Sequence, residues 1–285
     1  MSTSLDILIP VRPHPAFHGF LPICLESILE NVQENIRDII LVGHPDLTLH
    51  SSYPFHDKVR FIDEEDARRT IEQKSAVSWS SLGALHPIWM WQQILKLHSY
   101  YFSDADHILV VDADLCFLKP VRFRENGKYN FYLENEYHAP YFKTIEQLTG
   151  FAKKVESSFI ADHLLFDRRI LQEMLGFIEG RTGESFLVAL NRVLESGVDD
   201  QSTNLSEYEL YGTYLSHQHP ELMGTLEVNP VKGLPHFYMP SASDWSYSKI
   251  RETLVHPYPF MPMIAEHKEA LEPEPLTVKK LHQWR

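Results

Sequence analysis

Two aspartates separated by one residue, Asp112 and Asp114, follow the strongly apolar run at residues 108–111. Residues i and i+2 of an extended strand point the same way, so both carboxylates can face one ligand. Two carboxylates on one edge suit Mg²⁺ or Mn²⁺, which keep coordination positions open for phosphate oxygens. The alternative is that the two acids only make a strand end soluble, and the Asp-x-Asp spacing alone leaves both interpretations open.

Strand-like and helix-like runs alternate through the first half of the chain. The hydrophobic pattern predicts strands at residues 5–11, 38–42, 59–63 and 107–112, and helices at 20–33 and 87–101. Residues 64–81 are charged and polar, which predicts a mobile loop. The alternation predicts an α/β fold with a mainly parallel sheet. Ligands of such sheets bind beyond the carboxyl ends of the strands, and Pro10, Arg12 and Asp63 lie there beside the aspartates.

The second half of the chain is less regular. Strands are predicted at residues 129–133, 159–166 and 260–266, and helices at 169–179 and 206–217. The spacing of Ser206 and Glu209 is typical of a capping box at the start of a helix.

Composition excludes several classes of protein. The 285 residues include 26 Lys plus Arg and 39 Asp plus Glu, a net charge of −13, which disfavours a nucleic-acid binder. Two cysteines cannot form a disulfide framework or a four-cysteine zinc site. The N-terminal residues have no basic region, and no apolar run reaches the ~20 residues of a membrane span. We therefore expect a cytoplasmic protein without a transmembrane segment, whose contact with a membrane, if it has one, is peripheral.

Three segments carry a resemblance to a known family. Residues 91–120, which contain Trp-Gln-Gln, Lys96-Leu and Asp-Ala-Asp, resemble the nucleotide-sugar site of GT-A fold glycosyltransferases. The opening strand and the run Ser-Glu-Tyr-Glu-Leu-Tyr-Gly at 206–212 resemble the same fold, and the pattern is closest to an uncharacterised glycosyltransferase-like family. The resemblance implies a Rossmann-like GT-A fold with a smaller acceptor-side subdomain. It also implies one catalytic domain over residues 1–285, with a nucleotide-sugar half at 1–125 and an acceptor half and tail at 126–285.

The resemblance assigns roles on the donor side. Asp114 would be the firmer ligand of Mn²⁺ or Mg²⁺, and Asp112 would approach the metal or the ribose. A late histidine would be the third ligand, for which we choose His267 and hold His236 in reserve. Lys96 would place a positive charge near the nucleotide, although spacing alone is equally typical of a surface lysine.

The resemblance also places Glu207 at the general-base position of inverting members. A helix N-terminus favours an ionised carboxylate, which suits a group that accepts a proton from a hydroxyl. The alternative is that Glu209 completes a capping box and Glu207 only complements the helix dipole. The predicted acceptor-binding residues are Asp162, His163, Glu209 and Tyr137, and a structural Asp162–His163 hydrogen bond is the alternative for that pair.

Together these features imply a metal-dependent glycosyltransferase of the hexosyl or pentosyl class. It would move a sugar from a nucleoside-diphosphate sugar to a hydroxyl of a glycan or glycolipid, with inversion, in surface glycan or polysaccharide synthesis. A retaining mechanism and an inactive nucleotide-sugar-binding module remain alternatives. Phosphoryl or nucleotidyl transfer is disfavoured, because Leu-Cys-Phe follows Asp114 and the loop after the first strand lacks glycine.

Overall fold

The computed structural model describes residues 4–12, 17–44, 56–85, 88–196, 204–229, 237–239, 245–253 and 259–265. Its strands are β1 (Leu5–Val11), β2 (Ile36–Gly43), β3 (Val59–Asp63), β4 (His107–Val111), β5 (Leu115–Phe117), β6 (Arg124–Glu125), β7 (Lys128–Leu133), β8 (His163–Asp167), β9 (Met223–Val228), β10 (Phe237–Met239) and β11 (Phe260–Ala265). Its α-helices are α1 (Phe17–Asn31), α2 (Glu64–Ser75), α3 (Ile88–Leu97), α4 (Ala139–Thr149), α5 (Arg168–Thr182), α6 (Phe186–Ser196), α7 (Glu207–Gln218) and α8 (Tyr247–Thr253).

A five-stranded sheet in the order β3-β2-β1-β4-β8 forms the centre of the protein. The first four of these strands are parallel, and β8 runs antiparallel to β4. Every residue of β1 and β4 is buried, which explains the almost continuous apolar runs of these strands. The predicted α/β class with a mainly parallel central sheet is confirmed. Parallel pairing brings the ends of β1 to β4 to one side of the sheet, which we call the carboxyl edge.

Two three-stranded sheets flank the central one, in the orders β10-β11-β5 and β6-β7-β9. Strand β11 pairs antiparallel with β5, and Met263 N–H donates to the Asp114 carbonyl at 2.7 Å. The chain segment after Asp114 is therefore fixed by a strand from the end of the chain. Within the described ranges, no helix combines the length and the apolar character that a membrane crossing requires.

Helix α7, which begins at Glu207, is unusually buried. All residues from Glu207 to Ser216 of α7 are buried, and the helix packs against α3, α4, α5 and β8. Gly212 allows this packing, because a Cβ at that position would overlap the ring of Phe159. The side chains at the start of α7 are thus held between the central sheet and other helices.

The structure corrects two predictions from the sequence. Residues 64–81, predicted as a mobile loop, contain α2, whose first turn is capped by Asp63 accepting from Glu65 N–H at 2.8 Å. The strand predicted at 159–166 is shorter and shifted, because only His163–Asp167 is extended. Asp162 precedes it with φ of 57°, in the left-handed region, which interrupts the extended run.

Candidate active site

Lys96, near the end of α3, joins the two elements that the sequence singled out. Its Nζ lies 2.6 Å from Asp112 Oδ1, just after β4, and 2.8 Å from Glu207 Oε1, at the start of α7. The same ammonium donates to the Tyr208 hydroxyl at 2.9 Å. Asp112 and Glu207 are therefore its ionic partners, and Tyr208 accepts a hydrogen bond from it. We call Asp112, Lys96, Glu207 and Tyr208 the Lys96 cluster.

Burial differs across the Lys96 cluster and determines its electrostatics. The side chains of Lys96 and Glu207 are 3% and 1% exposed, whereas that of Asp112 is 32% exposed. Burial raises the pKa of Glu207, Lys96 opposes this, and the charge of Asp112 adds to the increase. Burial alone would lower the pKa of Lys96, but Asp112 and Glu207 outweigh it and the net pKa is raised. Lys96 therefore stays cationic, and Asp112 is the solvent-facing member.

The start of α7 is fixed by contacts with its own cap and with α3. Ser206 is the N-cap, and its hydroxyl accepts from Glu209 N–H at 3.3 Å, as its spacing predicted. Glu207 N–H donates to Gln93 Oε1 of α3 at 3.3 Å. These bonds aim Glu207 towards Lys96.

Glu209 points to a different set of partners. Its carboxylate accepts from Phe159 N–H at 3.1 Å and from Lys153 Nζ at 3.3 Å. Burial raises the pKa of Glu209, and Lys153 opposes the increase. Glu209 thus ties α7 to the segment before β8, and its acceptor-binding role stays a prediction.

Both aspartates of the Asp-x-Asp pair lie together after β4. Asp112 N–H donates to the Asp162 carbonyl at 2.8 Å, and the Cys24 thiol is 3.8 Å from the Asp112 carbonyl. Burial and Cys116 raise the pKa of the Cys24 thiol, and Asp114 and Asp112 raise it further. The charges of both carboxylates therefore act on the same thiol, as expected if Asp112 and Asp114 lie close together.

His163 lies beside this loop, but its ring is enclosed by aromatic side chains. The neighbouring rings are Phe117, Phe123, Tyr132 and Phe260, of which Phe260 is at 4.2 Å. Its Nδ1 is 2.6 Å from the Ala161 carbonyl, so the neutral ring donates a hydrogen bond there. Burial lowers the pKa of His163 to about 4. His163 and Asp162 are both buried next to Asp112, and their acceptor-binding roles stay predictions.

The remaining predicted residues lie around the site rather than in the Lys96 cluster. Pro10 is buried in β1, and Arg12 donates to Gln92 Oε1 at 3.0 Å. Asp63 ends β3 and lines a cavity of about 330 Å³, with β2 and β1 between β3 and β4. Tyr137 is 68% exposed and stacks on Phe142 at 4.9 Å. The donor roles of Pro10, Arg12 and Asp63 and the acceptor role of Tyr137 stay predictions.

Comparison with known proteins identifies the family. The profile of DUF6492, a family of unknown function, matches residues 21–257. The chain belongs to this family. No curated protein sequence matches it significantly.

Solved structures with a similar shape include two transferases. Mouse xyloside xylosyltransferase 1, in its apo form, is 11% identical with a TM-score of 0.45, covering 87% of this chain and 92% of its own. The galactosyltransferase LgtC, in complex with donor and acceptor sugar analogs, is 14% identical with a TM-score of 0.41, covering 93% and 90%. Identities and scores this low assign no residue role in this member of DUF6492.

The carboxylates after β4 fit the chemistry of a divalent cation bound together with a substrate. Among the described residues, no three His, Cys, Asp or Glu side chains converge as a metal site. His267 and His236 lie outside the described residues. Mg²⁺ is commonly held by one or two carboxylates plus substrate phosphates, so Asp112 and Asp114 are a sufficient donor set. Lys96 takes one oxygen of Asp112 and leaves the other for this purpose.

Sequence reasoning missed Gln93 and Tyr208 as members of the site. Gln93 orients the start of α7, and the Tyr208 hydroxyl contacts Lys96. Both residues stand inside the runs that carried the resemblance, Trp-x-Gln-Gln and Ser-Glu-Tyr-Glu. The signal was therefore present, but only the charged residues of those runs were assigned roles.

Proposed function

We propose that this member of DUF6492 is a metal-dependent glycosyltransferase. It transfers a sugar, with inversion, from a nucleoside-diphosphate sugar to a hydroxyl of a glycan or glycolipid. One observation carries the proposal: Lys96 joins a carboxylate at the end of a central parallel strand to a buried carboxylate at a helix start. The carboxyl edge of a parallel sheet is where ligands of this architecture bind. The site therefore offers the Asp112 carboxylate for a sugar donor and the Glu207 carboxylate for an acceptor hydroxyl.

On the donor side, Asp112 and Asp114 would hold Mg²⁺ or Mn²⁺, with His267 as the proposed third ligand. The bound cation would neutralise charge on the departing diphosphate. Because the Lys96 ammonium already has Asp112 and Glu207 as ionic partners and donates to the Tyr208 hydroxyl, we propose that Lys96 positions Asp112 and Glu207 rather than contacting the nucleotide. Pro10, Arg12 and Asp63 remain the proposed contacts of the nucleotide itself.

On the acceptor side, Glu207 would act as the general base. The acceptor oxygen attacks the anomeric carbon, its proton passes to the Glu207 carboxylate, and the bond to the phosphate oxygen breaks with its electron pair. A carboxylate whose pKa burial has raised is a stronger base than an exposed one. Because Glu207 is 1% exposed, the side chains covering it must move when the acceptor binds.

The inactive binding module remains a second candidate, and one observation favours it. Lys96 already neutralises charge on Asp112 and Glu207, so the cluster is also competent as a purely structural ion pair. The two candidates differ in turnover. Both bind a nucleotide sugar, but only the enzyme hydrolyses or transfers it.

The test is a panel of nucleotide sugars with Mn²⁺, in which thermal shift reports binding and release of nucleoside diphosphate reports turnover. Asp114→Ala is expected to lose the metal-dependent shift, and Glu207→Gln to keep the shift and lose turnover by about 10²- to 10⁴-fold. Asp57→Ala and Glu146→Gln, at exposed positions elsewhere, are the matched controls.

Three results are informative against the proposal. If folded Asp114→Ala binds the nucleotide sugar normally in the presence of Mn²⁺, Asp114 is not a ligand of the metal. If Glu207→Gln turns over at the parent rate, Glu207 is not the general base, and Asp162 is the next candidate. Binding without turnover for every donor selects the binding module.

A further inference from the structure

A second cavity lies at the edge of the central sheet opposite to Asp112. It has a volume of about 500 Å³, and an adjoining cavity of about 710 Å³ shares part of its lining. We call this pair the basal groove, defined by Arg60, Lys74, Tyr100, Tyr101, Arg168 and Gln172. Arg60 stands near the start of β3, and Arg168 directly follows the antiparallel β8. The basal groove is therefore at the edge where β1 to β4 begin.

The cavity of about 500 Å³ in the basal groove has more cations than carboxylates in its lining, in an acidic protein. Arg60, Lys74 and Arg168 line one cavity of a chain whose net charge is −13. Asp104 lines the same cavity, and the adjoining cavity is lined by Glu184 and by Glu179, which accepts from Phe186 N–H at 3.0 Å. Asp104 pairs with Arg37 at 2.5 Å, which lowers the pKa of Asp104, and Glu184 pairs with the Arg192 guanidinium at 2.8 Å.

Among the described residues, the hydrogen-bond and ring partners of these three cations are neutral, and the charge of Arg168 also lowers the pKa of Asp104. Arg60 donates to the Phe102 carbonyl at 2.5 Å, and Lys74 Nζ lies 5.3 Å from the centre of the Tyr101 ring. Arg168 Nε is buried, and no described residue accepts a hydrogen bond from it. A buried donor without an acceptor costs free energy, and an anion that accepts from it recovers that cost.

We propose that the basal groove binds a phosphate-bearing ligand, with the phosphate between Lys74 and Arg168 and the adjoining part of the ligand on Tyr100 and Tyr101. Guanidinium and ammonium groups are the side chains that proteins use for phosphate. Two sources share this chemistry: a free phosphorylated small molecule and the headgroup of a membrane lipid.

The basal groove is separate from the proposed transferase site. The five residues of β4 lie between the two edges, which at about 3.3 Å per residue is about 16 Å. No residue of the Lys96 cluster lines the basal groove. Either proposed site can therefore be disproved without disproving the other.

The test measures binding to the full chain by titration calorimetry in EDTA, with inorganic phosphate and pyrophosphate as soluble probes. Co-sedimentation with phosphatidylglycerol vesicles, against phosphatidylcholine vesicles, tests the lipid source. Lys74→Gln and the double variant Lys74→Gln/Arg168→Gln are compared with Lys143→Gln, which removes the same charge from an exposed position of α4. Lys74 is exposed, so Lys74→Gln is expected to fold normally even where the double variant does not.

We expect saturable binding that the double variant weakens about tenfold or more, that Lys74→Gln weakens less, and that Lys143→Gln leaves unchanged. Binding of soluble probes indicates a small molecule, and binding confined to anionic vesicles indicates a lipid headgroup. The proposal is overturned by no binding of any probe, by unchanged binding in folded groove variants, or by an equal loss in Lys143→Gln. Asp114→Ala tests independence, because it is expected to leave this binding intact.

Discussion

Replacing Lys96 by Met tests whether the Lys96 cluster is held by charge. Methionine keeps an unbranched stem of similar length and removes the ammonium that contacts Asp112 and Glu207 at 2.6 and 2.8 Å. Two carboxylates then face each other without a cation. Breaking a buried ion pair by removing one partner typically costs about 3–5 kcal/mol. Asp112 is partly exposed and recovers some hydration, so most of the cost falls on Glu207, which is 1% exposed.

The cost of Lys96→Met is expected to depend on pH. Without Lys96, its opposition to burial and to the charge of Asp112 is lost, and the pKa of Glu207 in the folded protein rises further above its ordinary 4.5. The folded state then binds a proton that the unfolded state releases above about pH 4.5, so stability falls as pH rises. The deficit of the variant relative to the parent is therefore largest at neutral pH and smaller at acid pH.

Urea unfolding followed by circular dichroism at pH 7 and pH 5 measures this deficit, with Lys143→Met as the exposed control. The double variant Lys96→Met/Glu207→Gln removes both charges and is expected to recover about 1–3 kcal/mol of the loss at pH 7. A deficit below about 1 kcal/mol for Lys96→Met, or no recovery in the double variant, would refute a charge-held cluster.

Two further predictions concern stability. Gly212→Ala is expected to destabilise the protein by about 1–3 kcal/mol in urea unfolding, because the new Cβ overlaps the Phe159 ring. Gly176→Ala, at an exposed helical position with open space around it, should instead stabilise it by about 0.5–1 kcal/mol, and equal effects would contradict the packing of α7. His163, with a pKa of about 4 when folded and 6.5 ordinarily, makes stability fall as pH falls through that window. His163→Gln should flatten this slope by about 1.4 kcal/mol per pH unit, and an unchanged slope in His163→Gln would mean that folding does not lower the pKa of His163.

The sequence predicted β1 and β4 because every residue of these strands is buried, and it also predicted β3, which has no buried residue. The predicted bounds of β1 and β3 match the structure, and the predicted order of strands and helices gave the mainly parallel arrangement. Helix α2 escaped prediction because its apolar face is narrow. Among its 12 residues, Ala67 and Ile71 are buried, and the many charges around them resemble a loop. The local pattern therefore identifies the strands, including the partly exposed β3, and fails for a helix that covers the core with two side chains.

The sequence predicted where two carboxylates of the candidate site lie in the fold, but not the cluster that they form. The positions of Asp112 after a strand and Glu207 at a helix start follow from local patterns, and the structure places both as expected. The partnership of these carboxylates with Lys96 depends on contacts between residues far apart in the chain. A lysine in the last turn of a helix is typical of an exposed side chain, and only the packing of α3 against α7 buries this one.

The negative charge of the candidate site determines whether a substrate that carries a diphosphate can bind there without a cation. With Asp112 and Glu207 ionised, Lys96 compensates one of their two negative charges, which leaves one, in a chain whose net charge is −13. An approaching diphosphate is repelled by that excess unless a cation binds with it. Lys96 cannot supply the missing charge, because its ammonium is already the ionic partner of Asp112 and Glu207. A divalent ion at Asp112 and Asp114 would cancel the excess, and this is the physical reason why we expect nucleotide binding here to require a metal.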